Sequence, residues 1–352
     1  MNLLSELQDL LRLGYENRAS DIHLHPDMKP YFRIDGFIQA HEENEALTKS
    51  KLISMLTALL DEGQRKFFAK NKVIDFAYEL SGVCRFRVNI FLEDSGISAV
   101  FRLIPSSIYT IEELEIPKGI VDLLKYHSGL ILITGPTGSG KSTTLAAIID
   151  FLNKTKHFHI VTLEYPIEFV YQNQKSSITQ REVGGDTPSF EKALLDVSRQ
   201  DPDVVLIGEM RDRRTIELAL NVAESGKLVF ATLHTVNANQ SAERIVNVFS
   251  ADEQSQRRHQ FASVVRAVVS QTLIPKASGT GRVAAFEILV ATAAVRNCIR
   301  EGKTHQLGNY IETGKDLGMQ TMATGIQQLA GRRIISPDVA QHYINTLSLD
   351  KN

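Results

Sequence analysis

Between Leu130 and Thr143 the chain reads LILITGPTGSGKST, and Gly135, Gly140, Lys141 and Ser142 fall on the spacing G-x-x-x-x-G-K-[ST]. This pattern suits phosphate. Gly138 and Gly140 let the backbone adopt positive φ and turn its N–H groups inward, Lys141 supplies a point charge for the β- and γ-phosphates, and Ser142 offers a hydroxyl to Mg²⁺. The whole loop, Gly135, Pro136, Thr137, Gly138, Ser139, Gly140, Lys141, Ser142 and Thr143, follows an apolar strand and opens a helix, whose N-terminal dipole adds to the attraction. A nucleoside triphosphate is the expected ligand.

Acids and a histidine follow at the ends of apolar runs. Val204-Val205-Leu206-Ile207-Gly208-Glu209 reads as a buried strand that delivers a carboxylate at its C-terminal end, the place where parallel sheets hold ligands, so Glu209 is expected to face the Mg²⁺ and its waters. Glu164 and Glu168 bracket Pro166 after another such strand, and either carboxylate could polarise an attacking water. Thr232-Leu233-His234-Thr235 also ends a strand, which puts His234 where it could meet a γ-phosphate. Upstream, Arg85 and Arg87 share one face of a strand whose other face carries Phe86, Val88 and Ile90, and Arg102 lies between Phe101 and Leu103. These arginines either solvate a sheet face or reach a nucleotide held by a neighbouring subunit.

The elements that must position these groups are legible from periodicity. Leu3, Leu4, Leu7, Leu10 and Leu11 mark an opening amphipathic helix. Asp21 to His25 alternates as a half-buried strand, with His23 and His25 on a polar face, and Tyr31 to Ile38 reads as a hairpin turning at Asp35-Gly36. A Thr-capped helix is expected from Thr48 to Asp61, then strands over Asp75–Leu80, Val83–Leu92 and Ile97–Ile104. That set makes an α/β domain with an antiparallel sheet. Pro105 to Pro117 reads as a hinge, so we expect an N-terminal domain over residues 1–105, a linker over 106–117 and a second domain over 118–352. In the second domain, apolar strands alternate with helices from Gly119 to Leu233, as in a parallel sheet covered on both faces. Helices are expected to dominate from Ala238 onward.

Composition narrows the class. The 352 residues carry 39 Lys and Arg against 41 Asp and Glu, so no bulk attraction to nucleic acid or to an anionic membrane is implied. Two isolated cysteines, Cys84 and Cys298, make neither a disulfide framework nor a four-cysteine zinc site. No apolar run approaches a membrane span of roughly 18 residues, and the N-terminus lacks a basic start followed by an apolar block. The expectation is a cytoplasmic protein with no direct membrane insertion.

Taken together, these motifs resemble the secretion ATPase superfamily, the ring motors of type II and type IV secretion and of type IV pili. Gly135 to Thr143 looks like its Walker A, Glu164-Tyr165-Pro166-Ile167-Glu168-Phe169 like its aspartate box, Gly208 to Asp212 like its Walker B, and Leu233-His234-Thr235 like its histidine box. Within the superfamily the chain is most similar to the pilus retraction motors. That similarity is carried by Arg85 to Asn89, Gln180 to Val183, Ser270-Gln271-Thr272-Leu273, Gly318 to Thr321, and Ala294 to Glu301, the last like the retraction signature. Tyr165 departs from the family's box, which has an acid there.

The resemblance implies a PAS-like N-terminal domain and a RecA-like P-loop ATPase domain with a helical C-terminal region, assembled as a homohexamer. It implies ATP and Mg²⁺ as ligands, with Ser142, Glu209 and Glu164 near the metal, Glu168 as general base and His234 as γ-phosphate sensor. It also implies Arg85, Arg87 and Arg102 in the next subunit's site, and as partners a platform protein of the inner membrane and a paralogous motor subunit. The lack of a tetracysteine insert favours retraction over pilus assembly, and the alternatives are a secretion- or conjugation-linked motor and a non-hydrolytic accessory subunit.

Overall fold

A computed structural model describes residues 3–34, 36–104 and 107–349; Asp35 of the expected hairpin turn, and Pro105 and Ser106 of the expected hinge, lie outside the described residues. The chain divides into two compact units, Met1–Ser107 with Tyr165–Val170, and Ile108–Glu164 with Tyr171–Asn352.

In the first unit the order is α1 (Leu3–Glu16), β1 (Asp21–Leu24), β2 (Tyr31–Ile34), β3 (Phe37–Ala40), α2 (Lys49–Leu59), α3 (Glu62–Asn71), β4 (Val73–Leu80), β5 (Cys84–Glu93) and β6 (Gly96–Ile104). The strands form one six-stranded sheet in the order β3-β2-β1-β6-β5-β4, antiparallel at every pairing. Leu7, Leu10 and Leu11 of α1 and Leu52, Met55 and Leu56 of α2 are buried in one core with Ile22, Phe32, Phe86, Val88, Ile90 and Phe101. Phe86 and Phe101 meet edge to face with ring centroids 6.2 Å apart, and each fully buried ring contributes about 2 to 3 kcal/mol. The helix expected from Thr48 to Asp61 is α2, two residues shorter at its end, and the separate helix α3 follows it. Helix α2 stops at Leu59, and Asp61 then caps α3 through a reciprocal bond with Gln64. Helix α3 buries none of its residues fully, so it carries no apolar stripe to betray it.

The second unit runs α4 (Lys118–Leu123), β7 (Gly129–Thr134), α5 (Lys141–Thr155), β8 (His159–Glu164), β9 (Ser177–Glu182), α6 (Phe190–Val197), β10 (Val204–Ile207), α7 (Arg213–Glu224), β11 (Leu228–Leu233), α8 (Ala238–Asn247), α9 (Ala251–Val264), β12 (Val265–Pro275), β13 (Arg282–Val290), α10 (Ala293–Arg300), α11 (Leu307–Thr313), α12 (Met322–Gly331) and α13 (Pro337–Leu349). Its seven strands lie in the order β13-β12-β7-β11-β10-β8-β9, parallel from β12 to β9 with β13 as an antiparallel edge. Every residue of β7, β10 and β11 is buried, as expected of a sheet covered on both faces.

Helices dominate after Ala238 as expected, with one interruption. Two long strands interrupt the helices after Ala238, because α9 passes into β12 at Val264-Val265 with no Gly or Pro to mark the change, and the residues that follow are buried on both faces. Strand β9, polar and at a sheet edge, was also unforeseen. In the segment expected to be a hinge, Ile111 and Ile116 are buried in the core of the second unit. Cys84 and Cys298 are buried free thiols, and burial pushes Cys84 up to about 11, which leaves it inert. Among the described residues no helix is long and apolar enough to cross a membrane.

Candidate nucleotide site

The register of the seven-stranded sheet brings five sequence motifs side by side at its carboxyl edge. Gly135 follows β7, and its N–H donates to Leu233 O at 3.3 Å, so the phosphate loop starts beside the end of β11. Met210 N–H donates to Thr232 O (3.1 Å) and Gly208 N–H to Leu163 O (2.8 Å), which carries the ladder past the end of β10 to β11 on one side and β8 on the other. Gln271 of β12 comes one residue after the pairing of Ser270 with Thr134. By the strand pairing Gln271, Gly135 and His234 sit at one level on neighbouring strands, with Glu209 one residue and Glu164 two residues short of it, the strands being about 4.8 Å apart. Glu164 is the farthest from the loop, about three strand steps away.

The loop has the backbone its sequence predicts. Gly138 has φ +78° and Gly140 φ +87°, both in the left-handed region, and an added Cβ at Gly138 would meet nothing. Lys141 is buried at the first position of α5, where its Nζ donates to the carbonyls of Gly135 (2.8 Å) and Pro136 (3.0 Å). Ser142 is exposed, as are Pro136, Thr137 and Gly138, while Thr143 is half-buried and Ser139 buried. The Ser139 Oγ is enclosed without a hydrogen-bond partner.

Two of the expected site residues touch. Glu209 Oε1 lies 2.8 Å from His234 Nε2, and its other oxygen lies 2.7 Å from Arg211 Nε. Glu164 is buried and accepts from Thr162 Oγ1 at 2.7 Å, with Gln180 Nε2 at 3.4 Å. Gln180 belongs to one of the family-like motifs, and its own Oε1 accepts from Tyr171 N–H (2.9 Å). As hard oxygen donors, the Ser142 hydroxyl and the Glu209 carboxylate fit Mg²⁺. Among the described residues no cluster of three or more His, Cys, Asp or Glu gathers for a metal.

Glu168 belongs to the segment that packs with the first unit, and there it meets an expected partner. Arg87 Nη1 is 3.8 Å from Glu168 Oε1, and Arg87 Nε is 3.9 Å from Asp75 Oδ1. Where the resemblance implied arginines acting on a neighbouring subunit, Arg87 lies on an acid of its own chain. The sheet register adds what periodicity alone missed: Arg33, Asp21, Arg102 and Arg87 are direct neighbours across β2, β1, β6 and β5. Arg102 Nε donates to the buried Asp21 at 2.7 Å, and Arg33 lies 3.8 Å from the same carboxylate. Arg85 is half-buried two residues before Arg87 on the same face. Arg102 and Arg87 stand directly opposite each other, and the like-charge repulsion is offset by the carboxylates beside them, Asp21 at Arg102 and Asp75 and Glu168 at Arg87.

Helix α10 holds the segment that resembles the retraction signature. Thr292 caps it, Val295, Cys298 and Ile299 are buried, and Asn297 and Arg300 are exposed with Arg296 half-buried beside them.

Comparison with known proteins agrees with this arrangement. Residues 3–339 match the family model described as type II/IV secretion system protein. The type IV pilus retraction ATPase PilT of Pseudomonas aeruginosa is 45% identical over 339 residues, covering 96% of this chain and 97% of the relative. The twitching motility protein of Neisseria gonorrhoeae is 46% identical over 312 residues, 89% of this chain and 83% of that protein. A crystal structure of the pilus retraction motor PilT with bound ADP aligns with a TM-score of 0.86 at 40% identity, over 96% of both chains. With its mixed α/β fold of an N-terminal sheet domain and a C-terminal ATPase domain, the chain belongs to the type II/IV secretion system protein family.

Proposed function

We propose that this protein is an ATP-hydrolysing motor that drives retraction of type IV pili. The observation that carries the reading is the row of motifs along one sheet edge: the phosphate loop with Gly138 and Gly140 at positive φ, then His234 and Glu209 in contact. The near full-length similarity to retraction ATPases supports the choice of mechanical output.

In this reading the backbone N–H groups of Gly135 to Thr143, with Lys141, hold the β- and γ-phosphates of ATP. Ser142 and Glu209, with Glu164 nearby, would hold Mg²⁺, which when bound would supply charge neutralisation on the phosphate oxygens. Water attacks the γ-phosphorus, the bond to the bridging oxygen breaks, and Glu168 accepts the water's proton. The Glu209–His234 contact fixes the imidazole so that its free side faces the γ-phosphate. Arg87, with Arg85 and Arg102 on the same sheet face, neutralises charge beside Glu168 of its own chain. The protein works as a homohexamer in the cytoplasm, peripheral to the inner membrane through a platform protein, and beside a paralogous motor subunit. No nucleic acid enters the cycle.

A strain that lacks the gene tests this. It is expected to keep its pili and lose twitching, to regain twitching with the wild-type gene, and to stay immotile with Lys141→Ala. Intact twitching in the deletion strain, with protein secretion lost instead, would overturn the retraction reading.

A further inference from the structure

The family-like stretch Ser270-Gln271-Thr272-Leu273 plays no part in the chemistry so far, yet it packs closely against the phosphate loop. Gln271 is 2% exposed, and both ends of its amide are engaged. Its Nε2 donates to the carbonyl of Ser139 at 2.7 Å, and its Oε1 accepts from Thr144 Oγ1 at 2.9 Å. One side chain therefore ties the loop just before its last glycine to the first turn of the helix behind it. The backbone is equally close: a Cβ on Gly135 would lie 2.3 Å from Gln271 O, and one on Gly140 would lie 2.9 Å from Gln271 Nε2. The strand is anchored one residue earlier, where Thr134 Oγ1 donates to Ser270 Oγ at 3.0 Å in a buried contact.

The peptide plane turns this brace into a statement about phosphate. In a trans peptide the C=O of one residue and the N–H of the next point in opposite directions. Holding the Ser139 carbonyl on Gln271 therefore aims the Gly140 N–H away from β12. Gly140, at φ +87°, has no Cβ with which to resist either orientation, so the loop needs an outside group to choose one. An amide suits both contacts because its NH₂ donates to the carbonyl while a separate atom, its oxygen, accepts from Thr144, whereas a carboxylate has no hydrogen to donate.

We infer that Gln271 is a positioning residue for the phosphate loop: it fixes the Ser139–Gly140 peptide and thereby one of the donors presented to the nucleotide phosphates. The inference rests on the loop being the ATP site, as proposed above. Gln271 touches no reacting atom, so its removal loosens phosphate binding more than it slows the step that follows.

The test compares Gln271→Met, which keeps length and apolar packing while losing both hydrogen bonds, with Thr144→Val, which removes only the hydroxyl that donates to Gln271. Steady-state ATPase kinetics and direct ADP binding are measured on each, on the double variant and on Lys141→Ala. Gln271→Met is expected to raise KM for ATP and Kd for ADP by about tenfold, as loss of a buried positioning bond implies, with kcat within about threefold. Thr144→Val is expected to raise KM by about threefold, and the double variant to match Gln271→Met within about twofold, because the second bond is already gone. Thermal unfolding within about 4 °C of wild type establishes that the fold is intact. An unchanged KM and Kd in Gln271→Met would overturn the inference, as would multiplicative effects in the double variant. If Gln271→Met does not fold, an unchanged KM in Thr144→Val overturns it instead. If Lys141→Ala leaves ADP binding intact, the ATP-site reading falls and the role of Gln271 with it. If Lys141→Ala abolishes binding while Gln271→Met has no effect, only the role of Gln271 falls.

Discussion

In the seven-stranded sheet every residue of β7, β10 and β11 is buried, so polar chemistry has nowhere to go but past the carboxyl ends, where Gly135, Glu209 and His234 follow the last apolar residues. In the six-stranded sheet burial alternates along β5, and the face opposite the core carries Arg85 and Arg87 in mid-strand, with Arg102 across from Arg87. The seven-stranded sheet is covered on both sides and leaves its carboxyl edge for polar groups. The six-stranded sheet has one polar side and carries charge on its face. A parallel sheet sandwiched by helices cannot hold arginines in mid-strand without burying them unpaired, and an antiparallel sheet with one wet face can. Where a sheet is left open therefore decides which residues are available for function.

The comparison breaks first if the edge of the parallel sheet does not do the chemistry. Lys141→Ala is expected to remove ATP turnover altogether, because no other side chain in the loop carries positive charge; phosphate release in a coupled assay checks it. Turnover near wild type would take the site away from this edge.

The face of the antiparallel sheet is tested next. Arg87→Ala is expected to slow turnover on the order of 10³, the lower range for an arginine that stabilises phosphoryl transfer, while Arg33→Ala, in the same polar row but three strands away, leaves turnover within about threefold. Equal effects would make the row a stability feature. Because Arg87 meets Glu168 of its own chain, rings mixed from Arg87→Ala and Glu168→Gln subunits should recover no activity. Recovery in rings shown to form would place the arginine in the neighbouring subunit's site.

A smaller effect belongs to Glu168 alone. Glu168→Gln keeps shape and hydrogen bonding, so ATP binding is expected to persist while turnover falls by about 10², the ordinary value of a general base. A normal rate would move the base elsewhere, and the buried Glu164 is the next acid to replace.

How far the sequence disclosed this contrast depends on which signal each element carries. The apolar runs before Gly135, Glu209 and His234 were legible because a strand buried on both faces is apolar throughout, and the alternation of Arg85 to Ile90 announced a sheet with one wet face. Strand β12 was not legible, since a buried run gives the same signal in a helix as in a strand and no breaker separates it from α9. That omission left Gln271, named only for its family likeness, without a place beside Ser139, which the pairing of β12 with β7 supplies. Helix α3 left a capping signal at Asp61 and Gln64 but no apolar stripe. The contact between Arg87 and Glu168, and the row from Arg33 to Arg87, depend on register and on long-range packing, for which periodicity carries no signal.

The smallest expected change in chemistry is at α10. Changing Arg296 and Arg300 to Ala removes charge but leaves Val295, Cys298 and Ile299 buried, so ATP turnover should stay within about threefold of wild type while pilus retraction is lost. Parallel loss of both activities would make α10 part of the catalytic fold.

The most direct test of the strand-end site is Glu209→Gln, measured for ATP affinity and for turnover on the same preparation. The side chain stays the same size and can still meet His234 Nε2, which lies 2.8 Å from it, but it loses the charge proposed to support Mg²⁺. The account predicts ATP binding within about threefold of wild type and turnover lower by about 10². Unchanged turnover with unchanged binding would contradict it.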